Sequence, residues 1–98
     1  MDIIITKNKK QMTVMLKGKL DTITAPALET KLTDKLDGIE KLIFDFTELK
    51  YISSAGLRVL MTVVETMEEQ GRIVFKNVCK EVMEVFDVTG ITDFLNIE

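Results

Sequence analysis

Helical and strand-like periodicities alternate along 98 residues, one short apolar run (Leu42 to Phe46) sits mid-chain, and no linker-like shift in composition interrupts them. These three observations predict an α/β fold: a mixed, mainly parallel β-sheet with an N-terminal hairpin and helices packed on it, in the order β-β-α-β-α-β-α-β. A chain of this length with 46% hydrophobic residues can bury one core, so residues 1–98 are expected to form one domain.

Ile3 to Ile5 and Met12 to Leu16 read as two strands, with the polar stretch Lys7 to Lys10 as the turn of an antiparallel hairpin. Thr22 or Thr24 can cap a first helix whose opening turn suits Pro26. Ala25, Leu28, Leu32 and Leu36 recur at helical spacing up to Gly38, the expected C-terminal glycine. Leu42 to Phe46 has the pattern of a central strand covered on both faces by helices. After Ser53 and Ser54 a second helix carries Leu57, Leu60, Met61, Val64 and Met67 on one face and ends at Gly71. Ile73 to Phe75 is the next strand. Val82, Met83, Val85 and Phe86 mark a third helix stopping near Thr89 and Gly90, and Phe94 to Ile97 is expected to close the sheet as a last short strand.

Composition excludes several function classes. Sixteen acidic against 13 basic residues leave a net charge of −3, and no basic run exceeds Lys9-Lys10, so nucleic acid is not an expected direct partner. No apolar run approaches a membrane span, and the N-terminus has no basic segment leading into a long apolar one, so the chain is expected to be cytoplasmic, without membrane insertion. The single Cys79 cannot form an internal disulfide, which suits a reducing compartment. Without histidine there is no Ser-His-Asp triad, Cys-His pair or common zinc set, and five isolated glycines build no phosphate loop. Neither a metal nor a cofactor is expected, and the chain reads as a regulator rather than an enzyme. The one catalytic arrangement left, Asp21 and Asp45 as an acid/base pair, ranks below structural carboxylates.

The residues with most to say lie at one end of the expected sheet: Asp21 before the first helix, Asp45 near the end of its strand, and Ser53 with Ser54 at the start of the second helix. Strand carboxyl ends are where ligand and partner sites collect in open α/β sheets. The first N–H groups of a helix lack intrahelical acceptors and carry partial positive charge, a setting that suits a neutral cap or an oxyanion. Ser53 and Ser54 can therefore divide the work, one capping and the other projecting as a phosphoacceptor. Gly56 costs roughly 1 kcal/mol of helix propensity, so something must approach its backbone closely, whether the sheet below or a partner above. Arg58 shares a helix face with Ser54 and is either a solvated charge or a phosphate contact. Cys79 opens the third helix and is best read as a small packing residue.

Two motifs carry a family resemblance that spans almost the whole length. The segment from Gly18 to Asp21 (Gly-Lys-Leu-Asp) is similar to a Gly-Glu-Leu-Asp motif, and Ile52 to Leu57 (Ile-Ser-Ser-Ala-Gly-Leu) to Asp-Ser-Ser/Thr-Gly-Leu, both typical of STAS domains of the bacterial anti-sigma factor antagonist type. The second is the more specific because its strand-to-helix context also matches. Aligned on Gly56 and Leu57, the family's phosphorylated serine falls on Ser54. Its preceding aspartate is replaced by Ser53 and its following hydroxyl residue by Ala55, which removes one negative charge and one hydroxyl.

The resemblance implies partner switching. The unphosphorylated chain would bind an anti-sigma factor that is also a serine kinase, through Asp21, Ser53, Ser54, Gly56, Leu57 and Arg58, and so free a sigma factor for transcription. The kinase would phosphorylate Ser54 with its own ATP and magnesium, and a PP2C-like phosphatase would reset the switch. The alternative within the same fold is an unphosphorylated scaffold subunit of a transporter or stress-signalling complex.

Overall fold

A computed structural model describes all residues from Met1 to Glu98. Its elements are β1 (Asp2–Asn8), β2 (Gln11–Leu20), α1 (Ala25–Thr33), β3 (Lys41–Ile52), α2 (Ser54–Glu68), β4 (Arg72–Lys76), α3 (Lys80–Thr89) and a short 3-10 helix, Ile91–Phe94. The four strands form one sheet in the order β1-β2-β3-β4, antiparallel between β1 and β2 and parallel thereafter. The mixed α/β architecture and the hairpin are as the sequence predicts.

Three local expectations are corrected. Helix α1 ends at Thr33, short of Gly38; Leu36 lies beyond it yet stays buried, and Gly38 serves a later turn at φ +80°. The expected last strand is instead the 3-10 helix followed by a single parallel bridge from Ile97 to Phe75, with Phe94 exposed. Gly90 at φ +78° stops α3 and turns the chain directly into that 3-10 segment, leaving too few residues for a paired strand.

The third correction concerns the layers. Buried side chains of all three helices join one core cluster with Met12, Val14 and Leu16 of β2 and Leu42, Phe44 and Phe46 of β3, so the helices cover a single face of the sheet. Right-handed crossovers explain this: both parallel connections step the same way across β2, β3 and β4, which carries α1 and α2 to one side. Helix α3 joins them through Phe86, whose ring packs edge-on against Phe75 at 6.4 Å, beside Phe44 and Phe46. Ile43 and Val74 pair across neighbouring strands on the opposite face, outside that cluster. The unbroken apolar run of β3 therefore reflects its central place between two strands, not two helical layers.

Strand β3 is also far longer than the run Leu42 to Phe46. Two bulges against β2, opposite the steps Met15/Lys17 and Gly18/Lys19, each give β3 an extra residue. The bulges shift the side-chain phase so that Leu49 and Ile52 still face the core, and β3 reaches twelve residues to Ile52. It delivers the chain to the start of α2 beside the end of β2.

Candidate functional site

The site is the junction where β2 and β3 end and α1 and α2 begin. The Leu20 carbonyl accepts from the Ser53 N–H at 2.9 Å, which ties the β2 end to the residue preceding α2. Ser53 is extended at φ −100° and ψ 175°, and its Oγ accepts from the Gly56 N–H at 3.3 Å, so Ser53 is the N-cap of α2. Ser54 is the first helical residue and is exposed. Arg58, one turn on, is exposed as well.

Gly56 and Leu57 sit underneath. A Cβ at position 56 would lie 2.8 Å from both the carbonyl oxygen and Cγ of Leu20, and 3.0 Å from Cγ1 of Ile52. The close approach that Gly56 serves is thus internal, helix start on strand end, and Gly56 is buried together with Leu57. Neither offers a side chain to a partner; they set the height at which Ser54 stands.

Asp21 organises the β2–α1 turn. Its Oδ1 accepts from the backbone N–H groups of Ile23 and Thr24, each at 3.0 Å, while its own N–H donates to Thr24 Oγ1 at 2.8 Å. The Thr24 hydroxyl donates in turn to the Lys19 carbonyl at 2.8 Å. Thr24 occupies the N-cap position of α1, but its hydroxyl serves this turn and caps no helical N–H. The Thr24 N–H first, then that of Ile23, with Lys19 nearby, outweigh desolvation and hold the Asp21 carboxyl below its ordinary range, so it remains a carboxylate.

Asp45 does not belong here. Because β3 continues to Ile52, Asp45 lies seven residues, or roughly 20 Å of strand, back from the junction. Its Oδ1 accepts from the Thr47 N–H at 3.0 Å, from the Thr47 hydroxyl, and from Asn77 Nδ2 at 3.1 Å, which fastens the first bulge to the β4–α3 loop. Partial burial pushes its carboxyl up, but these donors outweigh it and hold it low. An Asp21–Asp45 acid/base pair is ruled out by this separation. Cys79 is the N-cap of α3, its thiol 3.4 Å from the Leu49 carbonyl, a packing position remote from Ser54 in the chain.

Sequence reasoning missed three residues at this junction. Lys19, Ile23 and Tyr51 join Asp21, Thr22 and Ser53 around a shallow depression of 320 Å³. Ile23 is 85% exposed and Tyr51 49%. The signal was present: Ile23 falls two residues before Ala25, out of phase with the buried positions of α1, and Tyr51 has the opposite parity to buried Ile52.

The chain matches the family model described as STAS domain over residues 2–98. It is 33% identical over 99 residues to BtrV of Bordetella bronchiseptica, a candidate anti-sigma factor antagonist, covering 99% of this chain and 83% of that protein. It is 25% identical over 97 residues to the anti-sigma-B factor antagonist of Bacillus subtilis, covering 98% and 89%. Among solved structures, the anti-sigma factor antagonist SpoIIAA in its unphosphorylated form superposes with a TM-score of 0.85 at 18% identity, covering 99% of this chain and 88% of that one.

Proposed function

Because the chain belongs to the STAS domain family, we propose that it is an anti-sigma factor antagonist that binds an anti-sigma factor serving also as a serine kinase, and is switched off by phosphorylation of Ser54. The observation that carries this reading is the exposed Ser54 hydroxyl at the first position of α2, held in place by the capping Ser53 and the buried Gly56. The relatives named anti-sigma factor antagonist support the partner class. A PP2C-like phosphatase resets the switch, and the chain itself acts as regulator and substrate.

The physics of the switch is local. Phosphorylation adds about −1.5 to −2 charges at Ser54. In the free chain a helix N-terminus accommodates that charge in water, with Arg58 one turn away. In the complex the phosphate is desolvated at the junction that also carries the ionised Asp21, a cost of several kcal/mol. About 5.5 kcal/mol moves a two-state population from 1:99 to 99:1, so electrostatics suffices without refolding. Asp21, Ser53, Ser54 and Arg58 face the partner in this reading, while Gly56 and Leu57 contribute from beneath.

The test is a titration against the serine-kinase anti-sigma factors of the source organism, each purified singly. One of them binds the natural chain, and Ser54→Asp weakens that complex on the order of 100-fold or more. A second reading, the unphosphorylated scaffold subunit, draws on Ser53 and Ala55 where the family resemblance has an aspartate and a hydroxyl residue; Ala55 here packs against the core. Full binding by Ser54→Asp, with an ATPase copurifying, favours the scaffold.

A further inference from the structure

Ile23 is the most exposed large hydrophobic side chain at this end of the molecule, and nothing in the fold needs it there. Its backbone is nonetheless held in a hydrogen-bonded turn. Its own N–H donates to Asp21 Oδ1, and the flanking Thr24 closes the turn through Lys19 and Asp21. Tyr51, half exposed, stands across the same depression at the end of β3, where the register sets it beside Lys19 of β2. An aliphatic and an aromatic side chain lining one depression, the first on a hydrogen-bonded turn, is the composition of an interface anchor, because a fixed backbone reduces the entropy lost when the pair is covered. Single exposed apolar residues are ordinary, but two that share a depression with the N-cap of α2 are continuous with the surface proposed above.

Charge narrows the occupant. Lys19 is exposed on the rim and forms no ion pair, its charge acting only at a distance on Asp21 in the same depression, and the chain's one ion pair, Lys10 with Glu40, lies elsewhere. We infer that Ile23 and Tyr51 form the apolar anchor by which this chain recognises its anti-sigma factor, which presents a complementary apolar patch flanked by a carboxylate against Lys19. This inference rests on the reading of the site as an antagonist surface. It divides labour within the site: Ile23 and Tyr51 supply affinity and select the partner, and Ser54 supplies the switch. A carboxylate on the partner also adds to the repulsion that a Ser54 phosphate meets in the complex.

The experiment uses the full chain and the kinase anti-sigma factor of the source organism that binds it. Dissociation constants are measured for Ile23→Ala, Tyr51→Ala, Ile23→Leu and Lys19→Glu, alongside thermal melts and sedimentation of each variant alone. Each alanine variant is expected to bind on the order of tenfold or more weakly, Ile23→Leu to stay near the natural chain, and Lys19→Glu to weaken binding most at low salt. The melting temperature of Ile23→Ala should not move, since that side chain is 85% exposed, while half-buried Tyr51→Ala should melt only slightly lower and stay fully folded at the binding temperature. Both alanine variants binding within about twofold of the natural chain would overturn the anchor while leaving the antagonist reading intact. A natural-chain dimer that Ile23→Ala dissolves would assign the patch to a second copy and overturn it as well. No binding of any such kinase by the natural chain would overturn both.

Discussion

At residue scale, the proposed switch asks two things of Ser54: that it carry a negative charge without harming the fold, and that it carry one into an interface only at a cost. Ser54→Asp is accordingly expected to leave stability unchanged or raise it by about 0.3–1 kcal/mol through the α2 dipole, measured by denaturant unfolding, while partner binding falls. Gly56 behaves in the opposite way. Alanine there gains roughly 1 kcal/mol of helix propensity, but its Cβ would meet the Leu20 carbonyl oxygen at 2.8 Å, so Gly56→Ala should destabilise the protein by about 1–3 kcal/mol in the same measurement. Asp21 and Asp45 give a pH signature. Both carboxyls are held below their ordinary values, so each contributes stability that is fully present above the unfolded value of about 3.9 and is lost as pH falls through the folded value. Thermal melts should show stability falling as pH drops below about 4, and Asp21→Asn with Asp45→Asn should reduce that fall while lowering stability at neutral pH.

At the scale of elements, the bulged β3 and the aromatic cluster decide where the site stands. Phe44, Phe46, Phe75 and Phe86 form a chain of ring contacts between 5.4 and 6.4 Å that joins β3, β4 and α3. Phe86→Ala should cost about 3–5 kcal/mol, and a hydrogen-exchange map should show the loss across all three elements rather than in α3 alone. Helical elements were largely readable from the chain: α2 and α3 follow apolar periodicity, Ser53 starts α2 and Gly90 stops α3, whereas α2 ends at Glu68, short of the expected Gly71. The full length of β3 was not. Two extra residues break the period of two, so Leu49 and Ile52 look like loop residues until the bulges restore their phase. That single misreading moved Asp45 into the site on paper and left Tyr51 out of it. The turn before α1 was equally opaque, because Asp21, Thr24 and Lys19 are joined through backbone groups that leave no periodic trace.

At the scale of the whole molecule, helices crowd one face of the sheet and leave the junction of β2, β3, α1 and α2 at its carboxyl end, the position the α/β rule assigns to function. Ser54, Asp21 and Ser53 could be placed at that end from the sequence because the two motifs mark strand-to-helix transitions. The depth of Gly56 and Leu57 and the exposure of Ile23 needed the packing to be seen. No helix is long and apolar enough to cross a membrane. The chain is compact, with a Cα radius of gyration of 12.2 Å, and in the proposed switch a phosphorylated form should keep that dimension in solution scattering, since the proposal has the phosphate act on the complex and not on the fold. The most direct measurement is intact mass after incubation with the kinase anti-sigma factor that binds the chain, in the presence of Mg-ATP, with Ser54→Ala in parallel. The account predicts one added phosphate on the natural chain, none on Ser54→Ala, and release of the modified chain from the kinase. An unmodified natural chain beside an active, binding kinase would contradict it and reduce Ser54 to the first residue of a well-capped helix.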